Sequence, residues 1–567
     1  MVVQDEWGIA DGYHDIEGIW HATPPATQAR LRQSMGAPQP PPPMWFLPAG
    51  HAATLWGRCA LRLEDGTHLD DVHSLPPDLP LGYHDLTPID GGPATTLVVH
   101  PPACRELPQA WGVAAQIYAL WSDRSWGIGD LGDLRRLSAR TIAAAGRAVL
   151  VSPLHQPAPS LPQENSPYYP SSRRAWNPLL IGIDASPPPA LICTPESLID
   201  RDAVWSAKRQ VLEQRFAATS ELPALPRTVS VWNALCDRFG PSWREWPEGI
   251  RRYDPSALAQ LLNDDRDLAA RAAFHEWCQR LVSTQIDEVA RTGIELIGDL
   301  AIGFAPDGAD AWEFQDLLAL DVRIGAPPDP FNEAGQDWGI PPFIPWRFRQ
   351  VRYQPLIETI RAALRGCRGL RIDHVMGLFR QFWIPAGSPP DTGAYVRYPA
   401  EELLAIICLE AVRAGAFVVG EDLGTVEEGV RERLATHKIA GTRVVLFEDE
   451  HPRSWAPNVL ATVTTHDLPT ITGVWSGRAG DDEQRARLAA LGKANSTEDV
   501  LTNTHGALLD SPARLRLFSL DDLCAAEVQP NQPGTIGPPN WCRRLPVSVD
   551  DIPFQTVDDL SQPNDVA

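Results

Sequence analysis

The chain has 567 residues and a formal net charge of -23, from 49 Lys and Arg against 72 Asp and Glu. That balance lacks the basic face a nucleic-acid or anionic-membrane binder needs, and 44 % apolar residues in so long a chain exclude global disorder. At about 100–200 residues per domain, the length holds roughly three to five domains or one large barrel with additions.

Residues 1–6 are polar and acidic and lack the apolar core of a secretion signal. A helix end at 27–36 runs into the proline run 38–43, which reads as an extended linker. Residues 1–43 are therefore taken as an N-terminal segment. From 44 to 103, short alternating segments such as 53–63 and 95–100 are split by turn-rich stretches, which predicts a small β-sandwich-like domain. The nine Cys are scattered singly from Cys59 to Cys542, with no CxxC or CxxH spacing. This argues against structural zinc and for free thiols in a reducing compartment. No window of 18 uninterrupted apolar residues appears, so the cytoplasm is the expected location.

From about residue 110 the rhythm changes. Strands are predicted at 114–120, 148–152, 294–301, 370–373, 417–421, 443–447, 460–464 and 514–519. Helices are predicted between them at 131–145, 268–292, 353–364, 400–414 and 425–437. Eight strands alternating mostly with helices predict an α/β fold: a (β/α)8 TIM barrel over 104–555, behind small N-terminal helical and β modules. Long gaps after Ser152 and Ala301 read as large insertions at the C-terminal face, the face that carries the active site in such barrels. Residues 556–567 form a polar, acidic tail that is expected to be mobile.

Several strands end alike, in an apolar run followed by an acid: Asp299, Asp373, Glu421 and Asp467. Any one of these acids suits a helix N-cap or a turn. Placed alike around one ring, they converge on one cleft. Paired carboxylates without a Ser/His/Asp order or a metal cluster point to acetal chemistry, in which one acid attacks ionised and the other donates a proton. Arg371 precedes Asp373 by two residues and shares its side of the strand, which favours the ionised form. Glu421, with Asp422 beside it and no adjacent cation, suits the proton donor. His374 and His466 each border a strand-end Asp and can donate to sugar hydroxyls. Residue chemistry alone leaves hydrolysis and transfer tied. A Pro-rich segment at 327–345, with Trp338 and Phe343, reads either as a lid that keeps the cleft dry or as a surface loop stiffened by proline.

Arg371-Ile372-Asp373-His374, Gly420-Glu421-Asp422-Leu423-Gly424 and Thr465-His466-Asp467-Leu468-Pro469 resemble the catalytic motifs of the amylomaltases, glycoside hydrolase family 77 in the alpha-amylase clan. Ser125 to Asp130, Asn165 to Tyr168, Gly325 to Asp329, Gly335 to Gly339, Pro533 to Thr535 and Asn540-Trp541 agree in order, so the resemblance covers about 110–545. Tyr13-His14-Asp15 and Leu81 to His84 resemble the extended enterobacterial-type subgroup. The resemblance implies Asp373 as nucleophile, Glu421 as acid/base and Asp467 as a third acid gripping the donor ring. It implies substrate contacts from Arg371, His374, His466, Asp329, Gln336, Trp338, Ser166 and Tyr168. It breaks the tie toward 4-alpha-glucanotransfer, with α-1,4-glucans and maltooligosaccharides as donor and acceptor. A retaining α-1,4-glucan hydrolase and a non-catalytic glycan-binding protein stand as the alternatives. Where many family members carry a His after the third strand, this chain reads Phe304 to Gly308, so no sugar contact is assigned there. No cofactor and no metal are expected, since no Asp-x-Asp-x-Asp-Gly loop occurs and the donor bond is itself a glycoside. The N-terminal modules brace the barrel, bind glycan or mediate association.

Overall fold

A computed structural model describes residues 3–15, 17–219, 226–329, 332–555 and 557. The expected mobile tail, apart from Val557, lies outside them. The largest sheet has eight strands: β1 (Ala110–Ala115), β2 (Ala148–Val151), β3 (Glu295–Leu300), β4 (Gly369–Ile372), β5 (Phe417–Gly420), β6 (Gly441–Val444), β7 (Val459–Thr462) and β8 (Leu515–Ser519). Their order is β5-β4-β3-β2-β1-β8-β7-β6. The pairs from β4 through β1 to β6 are parallel. This is an α/β fold, a (β/α)8 barrel, with large insertions following β2 and β3.

Two strands differ most from the sequence expectation. The first strand occupies Ala110–Ala115 rather than 114–120, and Ile117–Ala119 is a 3-10 turn. The apolar run Val113 to Leu120 continues through that turn, so hydropathy does not mark where the strand stops. Gly112 disguises where it begins: glycine is unusual inside a strand, yet a Cβ here would fall 2.0 Å from the Ala148 carbonyl oxygen. The sixth strand ends at Val444, and Val445 to Phe447 turn away although they are as apolar as the strand itself. The helix expected at 425–437 begins only at Val430, after Gly429 with φ +83°.

The chain divides into two compact units. One comprises Leu107–Gln315, Arg365–Asp373 and Ala440–Ala567. It holds seven of the eight barrel strands and the helical insertion after β2. Its first helix, Leu131–Ala143, starts at a capping box: Asp130 accepts from the Asp133 N–H, and the Asp133 side chain accepts from the Asp130 N–H. Ser122 and Ser125 donate to the Asp133 carboxylate at 2.7 and 2.6 Å. The Ser125-to-Asp130 motif is therefore a helix-starting device in this fold.

The other unit comprises Met1–Glu106, Asp316–Leu364 and His374–Ile439. Its N-terminal hairpin, Gly12–His14 with Trp20–Ala22, lays Tyr13 edge-on against Phe382 and Tyr395. Those two belong to a four-stranded antiparallel sheet ordered Gln336–Ile340, Val322–Ala326, Arg380–Pro385, Ala394–Arg397. The Pro-rich segment 327–345 thus contributes an edge strand to a sheet, which is more order than either reading of it predicted. Residues 44–100 form a five-stranded sheet around a core of Leu47, Leu61, Leu86 and Leu97. Tyr83 of that sheet donates to Glu410 at 2.9 Å on the helix Ala400–Ala414. Among the described residues, no helix is long and apolar enough to cross a membrane.

Candidate active site

In the barrel-bearing unit, strand register builds the acidic cluster. Asp299 on β3 and Arg371 on β4 are direct partners in the parallel ladder. The Asp373 N–H extends that ladder by bonding the Leu300 carbonyl at 3.0 Å. Arg371 and Asp373, two residues apart, project to the same side. The buried Arg371 guanidinium donates to Asp299 Oδ1 at 2.7 Å and lies 3.1 Å from Asp373 Oδ1. The second Asp299 oxygen accepts from the Tyr168 hydroxyl at 2.6 Å. Burial pushes the Asp373 carboxyl up, Arg371 pulls it down and the Asp299 charge pushes it up again, which leaves it at about 6.

Asp467 follows β7. Its Oδ2 lies 3.2 Å from His466 Nε2, and its Oδ1 accepts from Asn531 Nδ2 at 2.6 Å. Burial favours the neutral acid, but the His466 charge and the hydrogen bonds from His466 and Asn531 outweigh it, holding Asp467 below its ordinary value. Burial alone would lower His466, and the adjacent Asp467 raises it instead. Tyr168 stacks on His466 with centroids 4.6 Å apart, and Trp541 closes on both rings at 5.5 and 5.4 Å. A cavity of about 60 Å3 opens among Tyr168, Asp299, Arg371, His466 and Asp521.

In the other unit, Glu421 follows β5. Its Oε2 accepts from the His374 N–H at 2.9 Å and its Oε1 from the Leu423 N–H at 2.7 Å. His374 has φ +47°, a left-handed backbone rare for a non-glycine residue and typical of constrained sites. Burial, with the Arg380 charge added, lowers its imidazole to about 4, so it is neutral at neutral pH. Trp338 meets the His374 ring edge-on at 5.1 Å and donates to Gln336 at 3.1 Å.

The sequence-selected residues therefore fall into three situations. Arg371, His466 and Tyr168 line the cavity with Asp299, Asp373 lies against Arg371 and Asp467 against His466. Glu421, His374, Trp338 and Gln336 gather around the start of the β5 loop. Ser166 and Asp329 serve turns: Ser166 Oγ accepts from the Tyr168 N–H at 3.2 Å, and Asp329 Oδ1 accepts from the Asn332 N–H at 2.7 Å. Asp299 carried the strand-end signal but was given no role. Asn531 and Asp521 were missed. Asn531 reaches Asp467 across 64 positions of sequence, and no local pattern announces it.

The parallel barrel with acids at its strand ends defines the class: an enzyme built for carboxylate chemistry. The family model described as 4-alpha-glucanotransferase matches residues 115–549. The 4-alpha-glucanotransferase of Mycobacterium tuberculosis H37Rv is 37 % identical over 86 % of this chain and 79 % of its own length. That of Haemophilus influenzae is 29 % identical over 84 % and 82 %. The crystal structure of amylomaltase from Corynebacterium glutamicum superposes with a TM-score of 0.82 at 26 % identity, covering 98 % of both chains. The chain belongs to glycoside hydrolase family 77, the 4-alpha-glucanotransferases, and its activity is 4-alpha-glucanotransfer.

Proposed function

We propose that transfer runs as a retaining double displacement on α-1,4-glucans and maltooligosaccharides, which serve as both donor and acceptor. Asp373 attacks the anomeric carbon while Glu421 gives its proton to the departing glycosidic oxygen. The bond to that oxygen breaks, and a glucosyl ester on Asp373 forms. Glu421, now ionised, takes the proton of an acceptor 4-hydroxyl as that oxygen displaces Asp373, so the enzyme is restored. Asp467 holds hydroxyls of the donor ring. Arg371, His374, His466, Asp329, Gln336, Trp338, Ser166 and Tyr168 shape or line the sugar site.

One observation carries this reading: the Arg371 guanidinium 3.1 Å from Asp373. Burial makes Asp373 a stronger base, and the cation keeps it ionised at neutral pH, as a nucleophile needs. The test is a quench of Glu421→Gln reacting with a maltosyl fluoride, a donor whose leaving group needs no acid. The expected glycosyl mass lies on the peptide that contains Asp373. Its appearance on another residue overturns the assignment. Parent enzyme with maltotriose should give glucose and a ladder of longer chains at a constant number of reducing ends, whereas hydrolysis raises that number.

The same reading takes residues 1–43 as an N-terminal segment, 44–103 as a β module and 104–555 as the catalytic barrel. The barrel strands run from Ala110 to Ser519, which supports that span. A cytoplasmic location is supported by nine free cysteines, including Cys104 and Cys408 with unbonded sulfurs 3.5 Å apart.

A further inference from the structure

Of the 20 Trp, ten are buried, and only Trp20 and Trp56 are exposed. Trp56 is the more exposed, at 63 %. It sits on the strand Ala53–Arg62 of the five-stranded sheet, where the register breaks. Thr54 pairs with Ser74 and Cys59 with Val72, so Leu55 through Arg58 stand opposite His73 alone. This four-against-one irregularity acts as a bulge, a device that re-aims side chains. Leu55 goes into the core, while Trp56 stands in solvent beside Gly57, around which space is open. Trp45, half-buried on Met44–Pro48, backs it: the ring centroids are 5.9 Å apart and the planes inclined by 40°. Two strands separate these rings in the sheet order, so the sheet curls to bring them together. Arg58 and His73 border the bulge, both reaching Asp71, at 2.6 and 3.5 Å.

Paired amphipathic rings of this kind are favoured at binding surfaces. Two inclined ring faces, ringed by exchangeable hydrogen-bonding groups of both signs, suit a neutral, curved ligand whose rings have apolar C–H faces and hydroxyl edges. The mixed charge offers no basic patch for a polyanion. We propose that Trp56, backed by Trp45, is a non-catalytic stacking platform for an α-1,4-glucan chain. It would hold long polymers on the enzyme without touching the reacting atoms. This rests on the reading that α-glucans are its donors and acceptors.

Native electrophoresis in gels containing amylopectin, run beside maltotriose disproportionation, tests it. Trp56→Ala is expected to weaken retardation about fivefold or more, the scale of one lost aromatic contact, and to leave the maltotriose rate unchanged. Trp56→Tyr should restore most of the retardation. Equal retardation of parent and Trp56→Ala overturns the proposal. So does loss of both readouts that Trp56→Tyr does not restore, and so does loss of self-association in Trp56→Ala with retardation unchanged, which would make this face a contact between copies. A parent that makes no maltotriose ladder yet is retarded through Trp56 would sink the catalytic reading and support the platform.

Discussion

Asp373 has a guanidinium 3.1 Å away with a second carboxylate behind it, whereas Glu421 accepts two backbone N–H bonds at 2.9 and 2.7 Å. The first arrangement tunes charge. Its partners are ionisable, buried and opposed, and together with burial they leave Asp373 at about 6. The second fixes position. Main-chain donors cannot titrate. The contrast suits the two jobs proposed: a nucleophile must stay ionised, whereas an acid/base must give and take a proton without moving.

Removing the acids themselves breaks the comparison most sharply. Asp373→Asn is expected to lower maltotriose transfer by about 10^4-fold or more, since no other group forms the glycosyl bond. Glu421→Gln should cost about 10^2- to 10^4-fold, the usual range for general acid–base help. A glycosyl fluoride donor separates them. Release of fluoride should return in Glu421→Gln and stay absent in Asp373→Asn. Rescue of both would show that Asp373 is not the nucleophile.

Arg371 is the next lever, because it defines the charge-tuned half. In Arg371→Met, Asp299 and Asp373 lose their shared cation. A buried charge left unpaired costs about 3–5 kcal/mol, readable as a lower midpoint in urea unfolding. The pH profile carries the sign. In the parent, Asp373 loses its charge as pH falls through about 6, so the acid limb of kcat/KM should lie there. Without the cation the ionised form is harder to keep, and the limb should move to higher pH. A limb that stays in place would mean that another group sets it.

How far these features were legible in sequence depends on whether they are local. The acids at the ends of β3, β4, β5 and the Asp467 segment were visible because a strand end and an acid are neighbours in the chain. The helix Ala400–Ala414 was visible to the residue: Glu401 and Glu402 open it, and Gly415 closes it in the left-handed region. The first strand was misplaced because one apolar run serves both strand and turn. Asn531 and the pairing of Asp299 with Arg371 were invisible because strand register and loop return create them, and neither is written in any short window.

Tyr168→Phe comes third in size. It removes the hydroxyl that donates to Asp299 at 2.6 Å and keeps the ring that stacks on His466. A hydrogen bond to a charged group contributes about 1.5–3 kcal/mol, and Arg371 still holds the other Asp299 oxygen. Transfer is expected to fall about tenfold, close to the lower end of that range. An unchanged rate would place Asp299 outside the charge tuning of Asp373.

Asn531→Ala should have the smallest effect, because Asp467 is held from two sides. His466 supplies charge at 3.2 Å, and Asn531 supplies one neutral donor at 2.6 Å. Truncation removes the second and leaves the first, so the carboxylate stays charged but is free to turn. A hydrogen bond to a charged group contributes about 1.5–3 kcal/mol, but the Asp467 side chain is 46 % exposed against 4 % for Asp299, so water replaces part of the lost donor and the expected loss is roughly two- to tenfold. If Asp467 grips donor hydroxyls, the loss falls on KM for maltotriose more than on kcat, because orientation of the bound ring is what suffers. A loss confined to kcat would instead draw Asp467 into the chemical step, and the division between a charge-tuned and a backbone-fixed acid would then have to admit a third member.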